Sequence, residues 1–128
     1  MRSLLWALLA IALALLAAGP AAADCKMHHG DLVVLYSSTD DPDVFVWDSR
    51  FRLREYHAAS FDEGRQILRH AELMEPGTRA VVDSCVPDFV LSPLFDHPAD
   101  AVGILVISGP HRGERGWVLG TDLKHYHY

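Results

Sequence analysis

Apolar positions from residue 31 onward recur mostly with a period of two, which is the period of strands that bury one face. Asp31 to Ser37 (DLVVLYS) predicts a strand, and Val44 to Trp47 (VFVW) predicts a second. The polar stretch Ser38 to Asp43 between them has turn chemistry, so the two are expected to pair as a hairpin. Phe51, Leu53 and Tyr56 extend the pattern, with Arg50, Arg52 and Arg54 interleaved. That alternation predicts a third extended piece with its arginines on the wet face.

The period then changes. Ser60-Phe61-Asp62-Glu63 has the form of a capping box. Phe61, Ile67, Leu68, Ala71 and Met74 follow on one helical face, and Pro76-Gly77 ends the segment. One helix covering a sheet is expected there. Arg79 to Cys85 returns to strand character, and Phe89 to Leu91 is short enough for a further strand. Ala101 to Ser108 (AVGILVIS) is the most apolar segment of the exported part and predicts a central, buried strand. A glycine-rich loop, Gly109 to Gly116, leads into the strand Trp117-Val118-Leu119. Thr121 to Leu123 reads as one helical turn, and Lys124 to Tyr128 as a closing strand. Phe45, Phe51 and Phe61 are expected in the core. Gly113 and Gly116 suit a tight connection with positive φ.

The first 23 residues belong to a different pattern. Arg2 precedes an unbroken apolar run from Leu4 to Leu16, then Gly19-Pro20, then Ala21-Ala22-Ala23. This is the layout of a cleaved secretory signal peptide over residues 1–23. The run is short for a bilayer span of about 20 residues. Asp24 before Cys25 argues against a lipidated cysteine. Cleavage leaves 105 residues, enough for one domain, residues 24–128. Ten basic and seventeen acidic side chains give that part a charge of −7 with His neutral. Such a balance disfavours nucleic acid and anionic membrane surfaces as partners. A secreted or periplasmic location follows from the signal. In an oxidising compartment the two cysteines, Cys25 and Cys85, read as one disulfide. Closing a loop of about 60 residues is worth roughly 4 kcal/mol in the chain-entropy model.

Val102 to Lys124 (VGILVISGPHRGERGWVLGTDLK) resembles the end of bacterial SH3-like domains: a strand, a G-P-x-x-G loop, G-W-V, one helical turn and a closing strand. Pro76 to Val82 is similar to that family's earlier turn and strand. The resemblance, over residues 76–124, implies a mainly β fold with one helix. The expected architecture is an SH3-like small barrel carrying an N-terminal β-hairpin and helix elaboration. Exported members of that family are associated with envelope or cell-wall binding. The groove residues of proline-binding SH3 domains are replaced here by Leu119 and Asp122, so proline-rich recognition does not carry over.

Candidate chemistry is sparse. No G-x-S-x-G elbow, HExxH helix or Cys-x-x-Cys pair occurs, and the glycine loop leads into a strand rather than a helix, unlike a phosphate cradle. No cofactor is implied. All eight histidines follow the signal: His28, His29, His57, His70, His97, His111, His125 and His127. His125 and His127 on one strand would put two imidazoles on one face, half of a zinc or copper site, completed by His28 or His29 if the chain ends met. Solvated terminal histidines are the alternative. Trp117 and His111, beside the glycine loop, are the candidate ligand contacts. The expected function is that of a non-catalytic, monomeric binding module of the bacterial envelope, taking a peptide, an envelope protein or a cell-wall fragment. Periplasmic metal binding through His125 and His127, or inhibition of an enzyme with a basic surface, are the alternatives.

Overall fold

The computed structural model describes residues 24–126. Residues 1–23, whose pattern predicts a signal peptide, and His127 and Tyr128 lie outside them. Seven antiparallel strands form one curled sheet, a half-barrel, in the order β3-β2-β6-β5-β4-β1-β7. The strands are β1 (Leu32–Leu35), β2 (Val44–Trp47), β3 (Ala71–Met74), β4 (Arg79–Val90), β5 (Ala99–Val106), β6 (Arg115–Leu119) and β7 (Leu123–His125). Two short α-helices, α1 (Arg50–Ala58) and α2 (Phe61–Ile67), sit between β2 and β3. No helix among the described residues is long and apolar enough to cross a membrane.

The sheet divides the core by sequence parity. On β5, Val102, Ile104 and Val106 face one cluster, with Val33, Leu35, Val44, Val46, Val82 and Val118. Ala99 and Ala101 face the other, with Trp47, Leu53, Val90 and Leu119. β5 thus buries both faces and is the fourth of seven strands, as its unbroken apolar run predicts. On β4 the register shifts between Val82 and Ser84. That irregularity moves the strand's parity by one residue. Cys85 therefore packs on the same cluster as Ala80 and Val82, within reach of Cys25. The Cys25–Cys85 disulfide spans 60 positions with a Cα–Cα distance of 6.3 Å.

Five expectations are corrected. β1 and β2 do not form a hairpin: β1 pairs with β4 and β7, and β2 with β3 and β6. The connection between them is longer and more polar than a two-residue hairpin turn. It is tied elsewhere, Ser38 Oγ donating to Asp122 Oδ1 at 3.0 Å.

Residues 50–58 are helical rather than extended. Ser49 caps them, its side chain accepting from the Arg52 amide at 3.1 Å. Only Leu53 of this helix is buried, so its arginines alternate with exposed as well as apolar positions.

The capped helix at Ser60 forms, with Ser60 Oγ accepting from the Glu63 amide. It ends at Ile67, passes through a 3-10 turn (Leu68–His70), and Ala71–Met74 becomes β3. Pairing of Val44, Phe45, Val46 and Trp47 with Met74, Leu73, Glu72 and Ala71 overrides the helical pattern there. There are accordingly two short α-helices, not one.

Finally, Phe51 and Phe61 are exposed, by 53% and 81%, while Phe45 is partly buried against the second cluster. Of the two glycines, Gly113 has φ +90°. Gly116 is required by proximity instead: a Cβ there would overlap Val46 Cγ1 and lie 3.1 Å from the Trp47 carbonyl oxygen.

Candidate functional site

A cleft of about 1090 Å³ opens at one end of the sheet. Its inner wall comes from β2 and α1. Trp47 and Phe45 alternate with the core-facing Val44 and Val46, so both rings point toward α1. There Tyr56 stacks 4.9 Å from Trp47 and meets Phe45 edge-on at 6.0 Å. The series continues through His57, 5.2 Å from Tyr56, to Phe95, 5.3 Å from His57. The polar segment 37–43 and the mixed segment 91–98 close the sides, and the 3-10 turn Gly120–Asp122 lies across one end. Trp47 itself is 1% exposed and acts as floor, whereas Tyr56, His57 and Phe95 are half-buried at the surface of the cleft.

The rim is acidic. Seven aspartates line the cleft, among them Asp41, Asp43, Asp96 and Asp122, against one lysine, Lys26. Burial pushes the Asp122 carboxyl above its ordinary value, partly offset by the hydrogen bond from Ser38. Burial depresses His57, so its imidazole is neutral at pH 7 and does not offset the acidic rim. Asp41 accepts from the Thr39 hydroxyl at 2.6 Å, which braces one side of the opening. Aspartates around an aromatic floor attract cations and apolar groups together, because rings offer dispersion and a negative face.

A second cluster lies elsewhere on the surface. His111 Nδ1 is 2.9 Å from Glu114 Oε2 and 3.2 Å from Glu72 Oε2. Glu72 is raised by its hydrogen bond with the Glu114 carboxyl, then by desolvation, and Glu114 is lowered by the same bond and by His111. Trp117 is the other candidate contact that the sequence places beside the glycine loop. It packs against the second core cluster, with the Arg50 guanidinium 5.7 Å over its ring. Arg50 and Arg54 also cover Phe51 and Phe89, which meet edge-on at 5.8 Å. Phe51 is exposed and lies beneath both guanidinium groups, whereas Phe89 is also partly buried against the second core cluster.

The two ends of the described segment approach each other. His125 Nε2 and His28 Nδ1 lie 3.2 and 3.9 Å from Asp31 Oδ2. Backbone donation from His28, followed by the hydrogen bond to His125, lowers Asp31. The two rings share a carboxylate there and do not converge as a ligand set, while His29 Nδ1 contacts the Asp83 carbonyl at 2.8 Å. His127 lies outside the described residues. Tyr56, His57, Phe95 and Asp122 were not singled out as binding residues from sequence. They come from three separate segments, and no local spacing links them.

No protein-family model matches the chain, and no curated protein or solved structure matches it.

Proposed function

We propose that this chain is an extracytoplasmic, non-catalytic binding module whose cleft takes a cationic peptide segment carrying apolar or aromatic side chains. One observation carries the reading: the cleft joins a half-buried aromatic floor to a rim of seven aspartates and one lysine. Basic side chains would meet the rim, and an apolar side chain would rest on Tyr56 and Phe95. Such a segment belongs to a peptide or to an envelope protein. A small inhibitor of an enzyme with a basic surface would use the same complementarity. The disulfide supports the exported location, since such bonds persist in oxidising compartments. The curled antiparallel sheet, and the 3-10 turn before the last strand, support the SH3-like reading of the fold.

Calorimetric titration of residues 24–128 with a lysine-rich peptide containing phenylalanine, and with its glutamate counterpart, tests this. Saturable, salt-sensitive binding of the first alone is expected. Equal binding of both, or of neither, would overturn it.

A further inference from the structure

Glu72 lies on the edge strand β3, opposite Val46 in register; it shares a face with Met74, but unlike Met74 it is exposed. His111 and Glu114 belong to the turn between β5 and β6. That turn is closed by four backbone bonds, Gly113 N to Val106 O at 2.8 Å, Val106 N to Glu114 O at 2.9 Å, Glu114 N to His111 O at 3.0 Å and Arg112 N to Gly109 O at 3.3 Å. Gly109 and Gly113 supply its positive φ values, +76° and +90°. His111 and Glu114 are thereby held three residues apart on the same side, and β3 brings Glu72 to them. One ligand atom from each residue lies within 4.8 Å of the other two.

We propose that Glu72, His111 and Glu114 form a binding site for a divalent transition cation, with zinc as the reference ion. Imidazole nitrogen and carboxylate oxygen are borderline-to-hard donors, a set that suits zinc and its neighbours and disfavours a soft monovalent metal. Four donors about 2.1 Å from a tetrahedral ion stand about 3.4 Å from one another. The 2.9 and 3.2 Å separations from His111 Nδ1 reach that spacing with a small outward movement of exposed glutamates. Three protein ligands leave the fourth position to water.

The local charges point the same way. Two carboxylates converge on one imidazole, an arrangement that favours a positive ion between them. The nearest arginines in sequence are engaged elsewhere. Arg115 pairs with Asp83, and Arg112 Nε donates to the Ile107 carbonyl at 2.9 Å. None of the three ligands lines the aspartate cleft, so the site stands independently of peptide binding. It also differs from the His125–His127 pair suggested by sequence, because its donors come from a strand and a turn about 40 residues apart.

The test is equilibrium dialysis of residues 24–128 against Zn²⁺, with Glu72→Gln, His111→Ala and His125→Ala variants. One equivalent of Zn²⁺ is expected to bind saturably. Loss of at least tenfold in affinity is expected for Glu72→Gln and His111→Ala, with no change for His125→Ala. Both key substitutions are at surface positions, and circular dichroism of each variant verifies the fold. Co²⁺ provides a second readout: the visible absorption of a low-coordinate ion should appear with the parent chain and vanish with His111→Ala. No saturable binding, or Zn²⁺ affinity unchanged in His111→Ala, would overturn the site. Loss confined to His125→Ala would do the same.

Discussion

Trp47 on β2 stands directly opposite Trp117 on β6, and this register pair joins the β2–β3 ribbon to the rest of the sheet. The junction is tight because Gly116, the residue before Trp117, lets Val46 and the Trp47 carbonyl approach. Both tryptophans then face the second core cluster, where α1 and the aromatic cleft are built. The position of the cleft thus depends on a glycine that forms no part of it.

Gly116→Ala should therefore destabilise the domain. The added methyl meets a branched side chain that is itself buried, and the Val46 methyl has little room to retreat. Overpacking of this kind costs about 1–3 kcal/mol. Urea denaturation followed by tryptophan fluorescence checks it. A midpoint equal to that of the parent would show that β2 and β6 tolerate separation.

The disulfide closes a long loop between Cys25, ahead of β1, and the middle of β4. Replacing both Cys25 and Cys85 by serine should lower stability by about 2–5 kcal/mol. Reduction of the parent chain should produce a similar loss. A reduced protein as resistant to urea as the oxidised one would contradict the assignment of this bond as a main stabiliser.

Asp122 gives a pH dependence of definite sign. Burial raises its folded pKa above the ordinary value of 3.8. The ionised form therefore costs stability above the folded pKa, and the cost fades as pH falls toward 3.8. Asp122→Asn keeps an acceptor for Ser38 and removes the charge. It should melt higher than the parent at neutral pH and equally near pH 3. Asp31 works in the opposite sense: its lowered pKa contributes stability above 3.8 that is lost as pH falls through the folded value. Asp31→Asn should melt lower at neutral pH, with the difference vanishing in acid. A reversal of either sign in melting temperature against pH would refute these environments.

The aspartate rim should govern affinity more than stability. Asp43→Asn combined with Asp96→Asn removes two charges at the cleft. Binding of the lysine-rich peptide should weaken roughly fivefold to thirtyfold, two rim charges contributing roughly 0.5–1 kcal/mol each. The melting temperature should change little. Unchanged affinity measured by calorimetry would remove the rim from recognition.

Parts of this structure were legible in the sequence because local chemistry decided them. Ala101 to Ser108 overlaps the central strand Ala99–Val106 because an unbroken apolar run buries both faces. Ser60 caps its helix because a hydroxyl can reach the Glu63 amide without tertiary help. Elsewhere the outcome depended on distant partners. Arg50 to Arg54 alternate as a strand would, yet Ser49 starts a helix that buries only Leu53. Ala71 to Met74 contains helix formers, yet β2 needs a neighbour on that side. The cleft was illegible for the same reason. Tyr56, Phe95 and Asp122 come together only once β2, the 91–98 segment and the last 3-10 turn are in place. His111 stands out in the sequence, but its partner Glu72 lies in a segment whose pattern predicts a helix and which forms β3.

The most direct test of the account is a chemical-shift map of residues 24–128 titrated with the lysine-rich, phenylalanine-containing peptide. The account predicts saturating shifts at Tyr56, His57, Phe95 and Asp122, with the Arg50–Phe51–Phe89 face unmoved. Shifts centred on that arginine-covered face, or no saturable change in the cleft, would contradict it.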